Sequence, residues 1–230
     1  MSNDLLEAAP DPDANDPRGD DDADDVVEVL PWWQNPVNVV AIVLSVALLI
    51  GALGYVIGNN RALPNANPTD VGFLQDMRVH HEQAVQLSFI YLDDPGTDGN
   101  LKTIAHEIVV GQNIEIGRMI QLLRDFGEPE VNDSDLAMAW MGEPVALERM
   151  PGLASQSDID ALVAAEGADA DRIFVQLMTV HHQGGIHMAD HAAANAGTPE
   201  VRLMATQMAG SQREEIVEMD KLLTASQNDG

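Results

Sequence analysis

The 230-residue sequence contains no cysteine. Disulfides and thiolate-held metals are thereby excluded, and any metal has to be bound through His, Met, Asp or Glu. Basic side chains are scarce too: 11 Lys and Arg stand against 38 Asp and Glu, a formal charge of −27. Nucleic acid calls for a basic patch to meet its phosphates, so this balance argues against such a partner. Acidity of this kind favours solubility and gathers cations near the surface. Aromatic residues make up only 4% of the chain, while Ala, Leu, Met and Val are plentiful, which favours helices over sheets. Also missing are a Ser or Cys nucleophile signature, a phosphate-binding loop and a dinucleotide fingerprint. Glu-x-x-His, the ligand pattern of carboxylate di-iron bundles, is absent as well, since no His has Glu three residues before it. These absences lower the case for an enzyme.

What is present falls into four segments. Residues 1–30 hold eleven acids against a lone Arg18. Such a stretch buries too little surface to order itself, so residues 1–36 are expected to form a disordered acidic tail. Residues 37–58, "VNVVAIVLSVALLIGALGYVIG", carry no charge and meet the roughly 20-residue length of a bilayer-spanning helix. Trp32, Trp33 and Tyr55 bracket this run as interfacial aromatics do. A cleaved signal peptide has a basic start, a shorter apolar stretch and a small-x-small cleavage site. The acidic start and long stretch here fit a retained single-pass anchor instead. Arg18 and Arg61 balance one another, so charge leaves the orientation open. Residues 59–69 read as a linker, and residues 70–230 as a soluble helical domain.

That domain is duplicated. Asp70, Phe73, Met77, His80, His81 and Ala84 recur as Asp171, Phe174, Met178, His181, His182 and Gly185, each 101 residues later. The segments 101–123 and 201–223 match at an offset of 100. Each copy reads as a helical hairpin, closed by "DDPGTDGN" in the first and "NAGTPE" in the second. The expected architecture is all-α: a four-helix bundle of hairpins 70–124 and 171–225, with a crossover over 125–170 and one transmembrane helix before it. Turn signals in the crossover bracket short helices expected near 134–141 and 157–166.

Helical spacing puts Phe73, Met77, His80, Ala84 and Leu87 on one face, with His81 on its flank. Phe174, Met178, His181, Gly185 and Met188 repeat that stripe. On the second helices, Gln112 and Glu115 interrupt one apolar stripe, and Gln212 and Glu215 the other. Both hairpins therefore bring His, Gln and Glu inward at similar heights, where an unpaired carboxylate is costly. One reading is a Glu–His–Gln hydrogen-bond network that fixes helix register without a ligand. The other is metal binding. Met-x-x-His occurs at Met77–His80, Met178–His181 and Met188–His191, and neighbours three apart on a helix can clamp one ion. His187 and His191 add an i, i+4 pair. Imidazole with thioether suits copper, and the thioether favours Cu(I). The candidate metal ligands are Met77, His80, His81, Met178, His181, His182, His187, Met188 and His191. Gln112, Glu115, Gln212 and Glu215 stand behind them, the two Glu orienting imidazoles through their second nitrogen.

With its repeat written D-x-x-F-x-x-x-M-x-x-H-H-x-x-[A/G], the chain resembles the bacterial domain-of-unknown-function family DUF305. "DMRVHH", "QLMTVHH", "QNIEI", "QREEI" and "RMPGLAS" (149–155) carry the likeness, which covers about residues 70–225. The first copy departs from the family's Met-Ala pattern at Leu87-Ser88, while the second keeps Met188-Ala189. The resemblance implies a ferritin-like bundle outside the cytoplasmic membrane, and copper binding as in some relatives. The expected function is a membrane-anchored, extracytoplasmic metal-binding protein for copper sequestration or delivery, with a copper ion as its ligand. A metal-free module docking a membrane-protein partner or a second copy is the alternative, followed by a ferritin-like redox enzyme.

Overall fold

Most of the described helices start where a polar side chain can satisfy the free N–H groups of a first turn. The computed structural model describes residues 31–60 and 66–228. It contains six α-helices: α1 (Pro36–Asn60), α2 (Pro68–Asp93), α3 (Gly99–Phe126), α4 (Gln156–Ala164), α5 (Ala168–Asn195) and α6 (Pro199–Asn228). Asn67 caps α2 in a reciprocal box with Asp70, Asp98 caps α3, and Ser155 forms a second box with Asp158 at α4. Prolines at the first positions of α2 and α6 add the fixed φ that a helix start accepts. The expected acidic tail, over residues 1–30, and residues 61–65 of the expected linker lie outside the described residues.

Helix α1 belongs to a unit of its own. Its stretch Pro36–Gly58 spans 23 residues, about 35 Å at 1.5 Å per residue, and so is long enough to cross a hydrocarbon core of about 30 Å. The second unit is the helical bundle. There α2 pairs with α3, α5 pairs with α6, and α2 packs on α5. Its apolar side chains form two separate clusters. One holds Phe73, Met77, Met119, Met188 and Met208, and the other Leu87, Tyr91, Ile108, Phe174 and Met219. Between them, at mid-height on all four long helices, sit His80, His81, Gln112, His181, His182 and Gln212, every one buried.

The two repeated aspartates tie the hairpins together. Asp70 on α2 accepts hydrogen bonds from Gly197 N, Thr198 N and Thr198 Oγ1, at 2.8, 3.0 and 2.8 Å, in the loop that joins α5 to α6. Asp171 on α5 accepts from Asp98 N at 3.0 Å and from the Tyr91 hydroxyl at 2.6 Å, at the loop that joins α2 to α3. Each hairpin thus holds the other's turn. Burial pushes the Asp70 carboxyl up, but the hydrogen bonds from Asn67, Thr198 and Gly197 outweigh it and leave the group below its usual range.

In the crossover, α4 lies where the second short helix is expected. The helix expected near 134–141 is replaced by a two-stranded antiparallel pair, β1 (Leu136–Ala137) with β2 (Val145–Ala146), around a single 3-10 turn at 139–141. The cause is Asp76, whose Oδ2 accepts both Met138 N–H and the Trp140 indole N–H at 2.7 Å. Met138 is thereby held in the left-handed region at φ 61°, which a right-handed helix cannot pass through.

Replacing Asp70 by alanine strands three donors in the α5–α6 turn and one at the start of α2. We expect a loss of about 3 kcal/mol of unfolding free energy, as for other broken buried polar networks. Urea unfolding of the variant checks this, and a loss below about 1 kcal/mol would make the latch dispensable.

Candidate functional site

The polar layer is built from the two His-His pairs and their acceptors. His81 Nε2 lies 2.8 Å from Glu115 Oε2, and His182 Nε2 lies 2.6 Å from Glu215 Oε2. His181 Nε2 bonds the backbone carbonyl of His80 at 3.0 Å, and His80 Nε2 bonds the carbonyl of Pro151 at 3.2 Å. A carbonyl oxygen only accepts, and so does an ionised carboxylate, so each Nε2 carries the hydrogen. In the neutral ring the lone pair is then on Nδ1. All four Nδ1 atoms are buried and without a hydrogen-bond partner. The rings of His80 and His181 lie against one another, with centroids 3.8 Å apart and planes tilted by 36°.

Burial sets the charge of this pair. Desolvation, reinforced by the neighbouring His81, pushes His80 down to about 3, overcoming the opposing effect of the Pro151 carbonyl. His181 is also held well below the ordinary value, by desolvation first and then by the rings of His80, His182 and His81. Both are neutral at pH 7, and a neutral imidazole is the form that ligates metals.

The glutamines occupy the same layer without joining its hydrogen bonds. Gln112 Oε1 and both amide atoms of Gln212 are buried with no partner. The Gln212 amide fills the space of a missing side chain: a Cβ on Gly185 would lie 2.5 Å from its Oε1. In the first hairpin that position is Ala84. Glu115 and Glu215 reach from the half-exposed edges of the layer, with side chains 23% and 27% exposed.

The nine candidate ligands divide into three groups. His80, His81, His181 and His182 share the layer. Met77 and Met178 each precede a His-His pair by one turn, and both are fully buried, in opposite apolar clusters. His187, Met188 and His191 lie further along α5. His187 is exposed and pairs with Glu143 of the crossover at 3.0 Å. Met188 is buried with Met77, and His191 packs edge-on to Trp140 at 5.5 Å. Among the described residues, no three His, Asp or Glu side chains converge as a preformed ion cage. The acceptor role of Pro151 was not foreseen from sequence. Its one signal is the Met-Pro-Gly segment itself, at residues 150–152.

The model of the family described as Domain of unknown function (DUF305) matches residues 70–223, the whole span of the duplicated hairpins. The chain belongs to the DUF305 family. Among solved structures, a DUF305 protein from Streptomyces coelicolor shares 36% identity and superposes with a TM-score of 0.63, covering 68% of this chain and 93% of its own. A DUF305 fragment from Deinococcus radiodurans shares 30% identity at a TM-score of 0.60, over 70% and 99% of the two chains. CopM in its Cu(I)-bound form shares 27% identity at a TM-score of 0.51, over 68% of this chain and 96% of CopM. Among curated proteins, none matches the chain.

Because His80 and His181 are depressed below their unfolded value near 6.5, the unfolded chain binds more protons than the folded one as pH falls below that value. Stability from the two rings is therefore complete above pH 6.5 and declines from there toward about pH 3. Between pH 7 and 5.5 the metal-free protein should lose about 1 kcal/mol for each of the two rings. Denaturant titrations of wild type and a His80→Gln/His181→Gln variant test this: wild type should lose about 2 kcal/mol more than the variant across that window, and an equal slope in both would refute it.

Proposed function

We propose that this DUF305 protein binds copper, as Cu(I), in the polar layer at the centre of its bundle. The observation that carries this reading is the set of four buried imidazoles, each held by oxygen at Nε2 and each with an unpartnered Nδ1. Ligand histidines commonly have their second nitrogen fixed in this way by a carbonyl or carboxylate. His80, His81, His181 and His182 are the nitrogen donors, with Met77 and Met178 as thioether donors one turn away. We assign His187, Met188 and His191 no part in holding the central ion.

The donor set indicates the kind of ion. Imidazole and thioether are neutral and soft to borderline, which suits Cu(I) and other monovalent soft ions. Glu115 and Glu215, behind His81 and His182, supply negative charge on the far side of the rings and raise their basicity. A monovalent ion also loses less hydration on entering a dry layer than a divalent one does. CopM has Cu(I)-bound and silver-bound structures and a Cu(II)-bound one as well, which supports copper, while the choice of Cu(I) rests on the donor set. Copper is the cargo here, sequestered or passed on rather than used for chemistry. We further propose that α1 anchors the protein in the membrane with the bundle on the extracytoplasmic side, in line with the apolar length of α1 and the family resemblance.

The full chain, purified in detergent and titrated anaerobically with Cu(I) against a chromogenic chelator, should bind more tightly than micromolar. A His181→Asn/His182→Asn variant should lose at least about 100-fold, in line with the cost of removing ligands and their supports. Affinity weaker than micromolar, or unchanged in the variant, defeats the copper reading. It would leave the layer as a metal-free register network. Protease shaving of intact cells tests the location: the bundle should be cleaved from outside.

A further inference from the structure

The Met-Pro-Gly segment of the crossover takes no part in the helical repeat, yet it supplies the acceptor for His80. The other three acceptors all come from the duplicated helices: Glu115 on α3, Glu215 on α6 and the His80 carbonyl on α2. Pseudo-symmetry calls for a return bond from His80 to the His181 carbonyl. That place is taken by Gly152, at φ 90°, where a Cβ would lie 2.7 Å from His181 O and 3.0 Å from its Cα. Only glycine fits both the backbone conformation and the approach.

Two residues hold the segment there, and they occupy the same position in the two repeats. Gln83 grips Ala154 from both sides, its Nε2 donating to the Ala154 carbonyl at 2.9 Å and its Oε1 accepting from Ala154 N at 2.6 Å. Gly184, 101 residues later, leaves the room: a Cβ on it would fall 2.0 Å from the Pro151 carbonyl oxygen and 2.5 Å from its carbon. Both atoms are backbone, so no side chain can swing aside. Divergence at one repeated position has thus given one hairpin a clamp and the other a berth.

We infer that residues 150–154 are the positioning element of the central site. The Pro151 carbonyl fixes the His80 tautomer and leaves Nδ1 as its ligand nitrogen, with Gly184 and Gln83 as the positioning residues that hold the carbonyl in place. This rests on the copper reading for its purpose, but the tautomer effect does not need the metal.

The test is nitrogen NMR of the histidine rings in the metal-free full chain in detergent, together with Cu(I) affinity. In wild type, His80 should show a single tautomer protonated at Nε2. Gly184→Ala should displace the carbonyl, giving a mixed or inverted His80 tautomer and a loss of about 10- to 100-fold in Cu(I) affinity, the usual effect of losing a support behind a ligand. Gln83→Ala removes the clamp without a clash, and should shift His80 in the same direction if Gly184→Ala does not fold. A His80 tautomer unchanged in Gln83→Ala and in a folded Gly184→Ala overturns the inference. Absence of Cu(I) affinity in wild type defeats the copper reading instead, and the tautomer measurement still decides the role of the segment.

Discussion

Placing four imidazoles in the middle of a bundle imposes one requirement that much of the structure answers. Each buried ring needs an oxygen at Nε2, because an unpartnered N–H in an apolar interior costs a few kcal/mol. Two of those oxygens are carboxylates that reach in from the edge, on α3 and α6. The third is the backbone carbonyl of His80 itself, which is available only if α2 and α5 approach closely at that height. The fourth has to be imported from the crossover. Helix pairing, the axial position of α2 against α5 and the path of residues 150–154 are all consistent with this one demand.

The duplication explains why the solution is nearly symmetric, and its exceptions show where the symmetry fails. Asp70 and Asp171 act alike, each latching the loop of the other hairpin. At the centre, two rings cannot both donate to one another's backbone while a third segment is wedged between them, and the wedge takes one side. Positions 83 and 184, Gln in one copy and Gly in the other, have diverged to accept it. The neighbouring pair, Ala84 and Gly185, follows suit: glycine admits the Gln212 amide on the side of the second hairpin only.

Much of this was legible in the sequence, for reasons that identify what was not. The hairpins, their length and the inward face of each helix follow from apolar spacing and from the motif positions that recur in the two copies, both readable along the chain. The helix starts after Asn67, Asp98 and Ser155 rest on caps that act over three residues and that apolar spacing does not show. The Asp latches were visible as repeated letters but not as latches, since Asp70 meets residues 127 and 128 positions away. The same distance effect hid Asp76, whose grip on Met138 and Trp140 replaces an expected helix with a turn. Helical spacing puts Gln112 and Gln212 at the right height, but it does not show whether an amide reaches a ring.

The distinction between a register network and an ion site rests on what the rings leave unsatisfied. A network selected only to fix register gains by pairing both nitrogens of each imidazole, because every buried polar atom left alone subtracts from stability. Here the pairing stops at Nε2 on all four rings, with suitable amides from Gln112 and Gln212 buried in the same layer and bonded to none of them. Four unpartnered Nδ1 atoms, the Gln112 amide oxygen and the idle Gln212 amide make a costly interior by the standards of folding alone. The methionines one turn above and below add polarisable sulfur to the same neighbourhood, and the carboxylates stand behind the rings rather than among them. With the carboxylates at the partly exposed edge of the layer, a positive charge among the rings would have compensating charge nearby without a carboxylate buried beside it. On the copper reading proposed above, such a layer folds at a disadvantage and recovers it when a soft monovalent ion binds.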